Sequence, residues 1–99
     1  MKHRQVVLQP EAQADLLWIY ETIASAAGNA TAMRYIERIE THCLGLDHAS
    51  ERGTRRDDLL PGLRVIGFER RVTVAFTVEP HQVVILRVFY GGANWEDEL

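Results

Sequence analysis

Arg64, Arg71, Arg87 and Tyr90 all lie on or beside the apolar last third of this chain. A guanidinium fork suits phosphate and carboxylate alike. If neighbouring strands bring these side chains to one face, the cluster could hold an RNA phosphate. Cleavage there needs a base for the 2′-hydroxyl, an acid for the leaving oxygen, and cations for the phosphorane charge. Tyr90 is the one candidate base, and it would need a strongly lowered pKa. With the acid–base set incomplete, the favoured reading pairs the arginines with Asp57, Asp58 or Glu69, or with acidic residues of a partner. No catalytic residue is assigned.

Other chemistries find less support. His3, His42, His48 and His81 lack the i, i+4 spacing of a helical metal pair with an acidic base between them, so no metal site is expected. Ser25 and Ser50 carry no elbow motif, and Cys43 falls on an apolar helix stripe as a packed small hydrophobe. Gly91-Gly92 precedes no helix start and is not a phosphate loop. No cofactor is implied.

The elements that must position these residues are legible in the pattern. Leu63 to Tyr90 is cut by Glu69-Arg70 and by Glu79-Pro80-His81-Gln82 into three segments of strand length. Val72, Val74, Phe76 and Val78 alternate with Thr73, Ala75 and Thr77, which predicts a strand with one apolar face. Val83 to Val88 is apolar on both faces except Arg87, as in a central strand covered on both sides. Short connections predict an antiparallel meander. Upstream, Val6-Val7-Leu8 reads as a short strand joining that sheet. Pro10 to about Ala27 is a helix with Ala12, Leu16, Ile19, Tyr20, Ile23 and Ala27 on one face, and Trp18 projects from nearly the opposite side. Gly28 suits its C-cap and Asn29 the N-cap of a second helix, about Ala30 to His48, whose stripe is Ala32, Tyr35, Ile36, Ile39, Cys43 and Leu46. The short join makes the helices antiparallel neighbours. Ala49 to Gly62 is expected to be irregular and exposed. In the acidic tail after Gly91, Trp95 either folds back or meets a partner. The fold class is α+β, β-α-α-β-β-β, a helical hairpin packed on a small, mainly antiparallel sheet.

Composition narrows the class. Ninety-nine residues, 46% hydrophobic and 25% charged, make one globular domain spanning 1–99. A net charge of −3 does not suggest a general nucleic-acid binder. Ten arginines against one lysine favour defined contacts over a diffuse basic surface. One cysteine excludes an internal disulfide, and no apolar run is long enough to span a membrane, so a cytoplasmic location is expected.

Pro10-Glu11-Ala12, Ala14-Asp15-Leu16, Ile19 and Tyr20 resemble the first-helix pattern of the RelE/ParE toxin superfamily. Asn29, Ala32, Tyr35 and Ile39 are similar to its second helix. Gly53 to Arg64 is the most specific match, and Arg87-Val88-Phe89-Tyr90-Gly91 resembles its last strand and the turn after it. The resemblance covers nearly the whole chain and implies a toxin of a bacterial type II toxin–antitoxin pair. The RelE-like branch cleaves mRNA on the ribosome; the ParE-like branch lacks the nuclease residues and is associated with inhibition of DNA gyrase. Lysines near the helix–sheet connection and basic residues after the last strand mark the nucleases. Here the only lysine is Lys2, and Gly91-Gly92-Ala93-Asn94 has no basic residue, so the resemblance is to the ParE branch. Arg71 matches a position where a nuclease arginine can sit. Tyr90 stands where many ParE-like proteins have histidine, and Asn94 where they often have aspartate. The implied partner is a ParD-like ribbon-helix-helix antitoxin, through which alone operator DNA would be reached. Its tail would enter a groove between the helical hairpin and the sheet as an amphipathic helix or an added strand. The expected antitoxin- or target-binding residues are Leu17, Trp18, Arg64, Arg71, Arg87, Tyr90 and Trp95, with DNA gyrase as the target. The alternatives are a ribosome-dependent endoribonuclease using the Arg71–Tyr90 region and an antitoxin-binding relic without toxicity.

Overall fold

The computed structural model describes residues 4–47, 51–91 and 95–99. A first strand, β1 (Gln5–Leu8), leads into α1 (Pro10–Ala27) and α2 (Asn29–Leu44), and a short 3₁₀ turn, Gly45–Asp47, follows. The strands β2 (Thr54–Arg55), β3 (Leu63–Phe68), β4 (Val72–Val78) and β5 (Gln82–Tyr90) complete the order. They form one mixed sheet, β1-β5-β4-β3-β2.

The meander is as the alternation predicts: β3, β4 and β5 pair antiparallel. β1 joins β5 in parallel, with Val6 opposite Val83 and Leu8 opposite Ile85. That direction follows from the two helices, which carry the chain back to the end of the sheet where it started. β5 therefore lies between β1 and β4, and both of its faces are covered. Val83, Ile85 and Val88 join the main core under the helices with Leu16, Ile19, Ile36, Ile39 and Phe76. On the other face, Phe89 packs with Leu63 and Ala75, and Leu86 lies beside them.

Three expectations change in detail. Ala49 to Gly62 is not wholly irregular, because Thr54 and Arg55 pair with Val65 and Arg64 as an edge strand. Two residues are too few to leave a periodic signature. A side chain at Gly53 (φ 85°) would run into the Val65 carbonyl, so glycine lets the chain enter this ladder. Asn29 is the first residue of α2 rather than its N-cap; Gly28, at φ 94°, serves both helices, donating its N–H to Ala24 O and accepting from Ala32 N. The second helix stops at Leu44, where Gly45 opens the 3₁₀ turn that buries Leu46; His48 lies outside the described residues.

The β3–β4 turn carries positive φ at two non-glycine residues, Glu69 (49°) and Arg70 (67°). The loop has three residues, Glu69 to Arg71, and its two positive φ values reverse the chain between the facing residues Phe68 and Val72. Glu69 stays because it is used: Arg38 of α2 grips its carboxylate with two hydrogen bonds of 2.8 and 3.0 Å.

Candidate functional site

β1 ends opposite Ile85, so β5 continues past it with one side unpaired by any strand among the described residues. A β-bulge at the same level sets the geometry. Ala75 faces Arg87 while Phe76 faces Ile85, leaving Leu86 as the extra residue of β5. Asp15, one turn into α1, fills the gap. Its Oδ2 accepts the Val88 N–H at 2.8 Å and the Arg87 Nε at 2.7 Å, and its Oδ1 accepts Arg87 Nη2 at 2.9 Å. The carboxylate takes the place of a strand partner at one rung, and the side chains of Arg87 and Asp15 keep only 23% and 15% of their exposure. Hydrogen bonding to Asp15 raises the Arg87 pKa, so the guanidinium is a fixed cation.

This cap borders a cleft of about 370 Å³ lined by Asp15, Trp18, Arg87, Val88, Tyr90 and Glu98, with Phe89 beneath. Trp18 is 56% exposed and Leu17 59%, unusual for large apolar groups on a single helix. The Trp18 ring meets the Tyr90 ring edge-on at 6.4 Å, and Tyr90 meets Tyr35 of α2 edge-on at 5.9 Å. Tyr90 thus has a packing role between both helices and the strand end. The Tyr35 hydroxyl is buried without a hydrogen-bond partner among the described residues. Burial, then Tyr90 and Glu69, raise its pKa, which keeps the phenol neutral and unfit as a base.

Of the residues singled out from the sequence, the structure brings Trp18, Arg87 and Tyr90 together at this cleft. Leu17 adjoins it on α1. Arg64 is elsewhere: it follows Leu63, which faces the second cluster, and so projects from the helix side near the far edge, where Nη1 donates to Glu51 O at 2.9 Å. Arg71 sits beside the hairpin turn, its carbonyl accepting Gly91 N–H at 2.8 Å. Trp95 lies on the second sheet face against Phe89. The four-residue constellation of Arg64, Arg71, Arg87 and Tyr90 is therefore divided between the two faces and three strand ends. The expected pairing of arginines with Asp57, Asp58 and Glu69 does occur, but with Arg55, Arg56 and Arg38. Asn94 lies outside the described residues.

Sequence reasoning missed Asp15 as the partner of Arg87, and Glu98 beside it. The signal for Asp15 was its place three residues before Trp18, on the same side of α1. Cys43 is buried, and burial pushes its thiol up to about 12, as befits a packing residue. Among the described residues no cluster of His, Cys, Asp and Glu could hold a metal, and no helix is long and apolar enough to cross a membrane.

A helical hairpin on a five-stranded mixed sheet, with an open strand edge beside exposed aromatic surface, defines a small α+β domain with a cleft at the end of β5. The family model described as the ParE toxin of the type II toxin–antitoxin system parDE matches residues 6–95, and the chain belongs to that family. It is thus a toxin-family member of the ParE branch. Among solved structures, the chromosomal ParDE toxin–antitoxin system from P. aeruginosa shares the fold, with a TM-score of 0.79 and 24% identity over 90% of this chain and 97% of that one. No curated protein sequence matches the chain.

Proposed function

We propose that the chain inhibits DNA gyrase by binding it, without catalysis, in the cytoplasm, and that a ParD-like antitoxin silences it. The family match over residues 6–95 is the observation that carries this reading. The cleft supports a binding role. It offers an open strand edge, an exposed indole and a fixed guanidinium, which suit an acidic tail laid along β5. Tyr90, packed between Trp18 and Tyr35, and Arg87, tied to Asp15, are spoken for by structure rather than poised for proton transfer.

The test is gyrase supercoiling with the purified protein, with and without its cognate antitoxin. Inhibition relieved by the antitoxin supports the proposal. Folded protein that leaves supercoiling untouched removes gyrase as a direct target, and ribosome-dependent mRNA cleavage becomes the reading to assay.

A further inference from the structure

The second face of the sheet has its own apolar cluster. Leu63, Ala75 and Phe89 are buried there, with Leu59, Val65, Leu86 and Trp95 around them. Among the described residues, none from α1 or α2 belongs to this cluster. Trp95, which opens the short 3₁₀ turn Trp95–Glu98, packs against it.

The way that turn is held resembles a bound peptide. The Trp95 ring lies over Phe89, centroids 6.0 Å apart and tilted by 30°. Arg56 grips it from one side: Nη2 donates to Glu96 Oε2 at 2.6 Å, and the guanidinium carbon stands 5.6 Å from the centre of the Trp95 ring. Arg87 holds the other side: Nη1 donates to the Glu98 carbonyl at 3.4 Å, and Nη2 is 3.8 Å from Glu98 Oε1. Arg87 lies 4.7 Å above the Phe89 ring, so the guanidinium and the apolar patch form one surface. An aromatic anchor on an apolar floor, flanked by two cations, is a seat for an aromatic–acidic peptide. The attachment is light. Glu96, Asp97, Glu98 and Leu99 remain exposed, and exposed ion pairs are weak and screened by salt. Glu98 also forms part of the wall of the β5 cleft, so the turn reaches the surface proposed above for the antitoxin.

We propose that Phe89, framed by Arg56 and Arg87, is a docking site for a short acidic partner segment with an aromatic anchor, and that residues 95–99 occupy it until the partner displaces them. The partner's identity rests on the toxin–antitoxin reading; the seat itself does not. Displacement exchanges one set of carboxylates for another on the same arginines, so the ion pairs are conserved. While the chain's own turn is seated, the apparent dissociation constant for the partner is raised by the inverse of the open fraction.

The test uses the full chain labelled with 5-fluorotryptophan, which gives separate ¹⁹F lines for Trp18 and Trp95. The probe is the synthetic peptide Trp-Glu-Asp-Glu-Leu, the chain's own 95–99 sequence. In the E96Q/E98Q variant the Trp95 line moves toward its solvent position, and the peptide binds about tenfold more tightly than to the unaltered chain, the loss of two competing ion pairs. Adding R56Q to that variant abolishes the gain. A second variant ending at Asn94 removes the occupant outright and binds the peptide at least as well, provided its circular dichroism shows it folded. A Trp95 line identical in the unaltered chain and E96Q/E98Q, or no peptide binding to E96Q/E98Q, overturns the proposal. The cognate antitoxin supplies the separate arm. A complex that forms with the Trp95 line unmoved overturns the displacement while leaving the toxin reading intact. A complex that moves the line supports both.

Discussion

Replacing Asp15 with alanine should be among the most damaging single changes outside the apolar core. Asp15 makes three hydrogen bonds, two to Arg87 and one to the Val88 N–H. Alanine leaves that N–H facing a gap where no strand follows β1, and an unpaired, partly buried N–H costs about 1–3 kcal/mol. It also strips the bidentate partner from a guanidinium with 23% side-chain exposure. Breaking a fully buried pair costs about 3–5 kcal/mol, but solvent reaches this one and Arg87 can turn toward Glu98, so about 1 kcal/mol is the fairer figure. The sum is about 2–4 kcal/mol, a large share of the roughly 5–15 kcal/mol that holds a domain together. Urea denaturation followed by circular dichroism measures it; with a slope of about 1–1.5 kcal/mol/M the midpoint should fall by roughly 2 M. Asp15→Asn separates the causes. Its amide oxygen can still accept from Val88 but carries no charge, so it should lose only about half as much. Hydrogen exchange at the Val88 amide should quicken in Asp15→Ala and stay slow in Asp15→Asn. An Asp15→Ala midpoint no lower than that of Arg55→Ala, which breaks an exposed surface pair, would refute the edge-cap argument.

Other consequences can be checked on the same protein. His42 stacks on Phe68 at 4.6 Å, its Nε2 buried without a partner among the described residues, and burial, then Arg52, lower its pKa from 6.5. The unfolded chain then takes up the proton first, so this stability is complete above about pH 6.5 and is lost as pH falls toward the folded value; His42→Phe should flatten the urea midpoint across that window, and an unchanged pH profile would sink the assignment. Arg70 sits at φ 67°, so Arg70→Gly should relieve left-handed strain and stabilise by about 0.5–1 kcal/mol after glycine's extra unfolded-state entropy is counted; a lower thermal midpoint would contradict this. Cys43 should resist a disulfide reagent in the folded protein and react at the rate of opening, with rapid stoichiometric labelling in buffer as the contrary result. Arg87→Glu should weaken antitoxin binding measured by calorimetry, read against Arg87→Gln to separate charge reversal from loss of the Asp15 pair.

How much was legible depends on whether a feature is local. The helix stripes of α1 and α2 and the alternation of β4 each repeat within a few residues, and most of those residues are buried or half-buried in the fold, although Ala27 at the end of the α1 stripe is exposed. The breaks at Glu69-Arg70 and at Glu79 to Gln82 carry their own turn chemistry and fall where strands end, except that Gln82 is already the first residue of β5. Even the two-sided cover of β5 showed in its apolar run, Val83 to Val88 with only Arg87 excepted, because a strand buried on both faces has few polar positions to spare. Membership of the ParE family was equally accessible, since its pattern is spread over the residues that make those elements.

What the chain order could not convey is which distant groups meet. Asp15 and Arg87 are joined across 72 positions, Arg38 and Glu69 across 31, and Arg56 and Glu96 across 40. Each choice depends on strand register. A single bulge at Leu86 decides that Val88 faces the helices and Phe89 the second cluster, and the end of β1 at Leu8 decides that Val88 needs a side chain as its partner. The arginines seen in sequence as one cluster were separated for the same reason: alternation along a strand sends neighbours to opposite faces, and only the paired sheet says which face is which. The pattern of residue types thus carried the elements and the family, while the cleft, its cap and the seat of the last turn arose from packing those elements together.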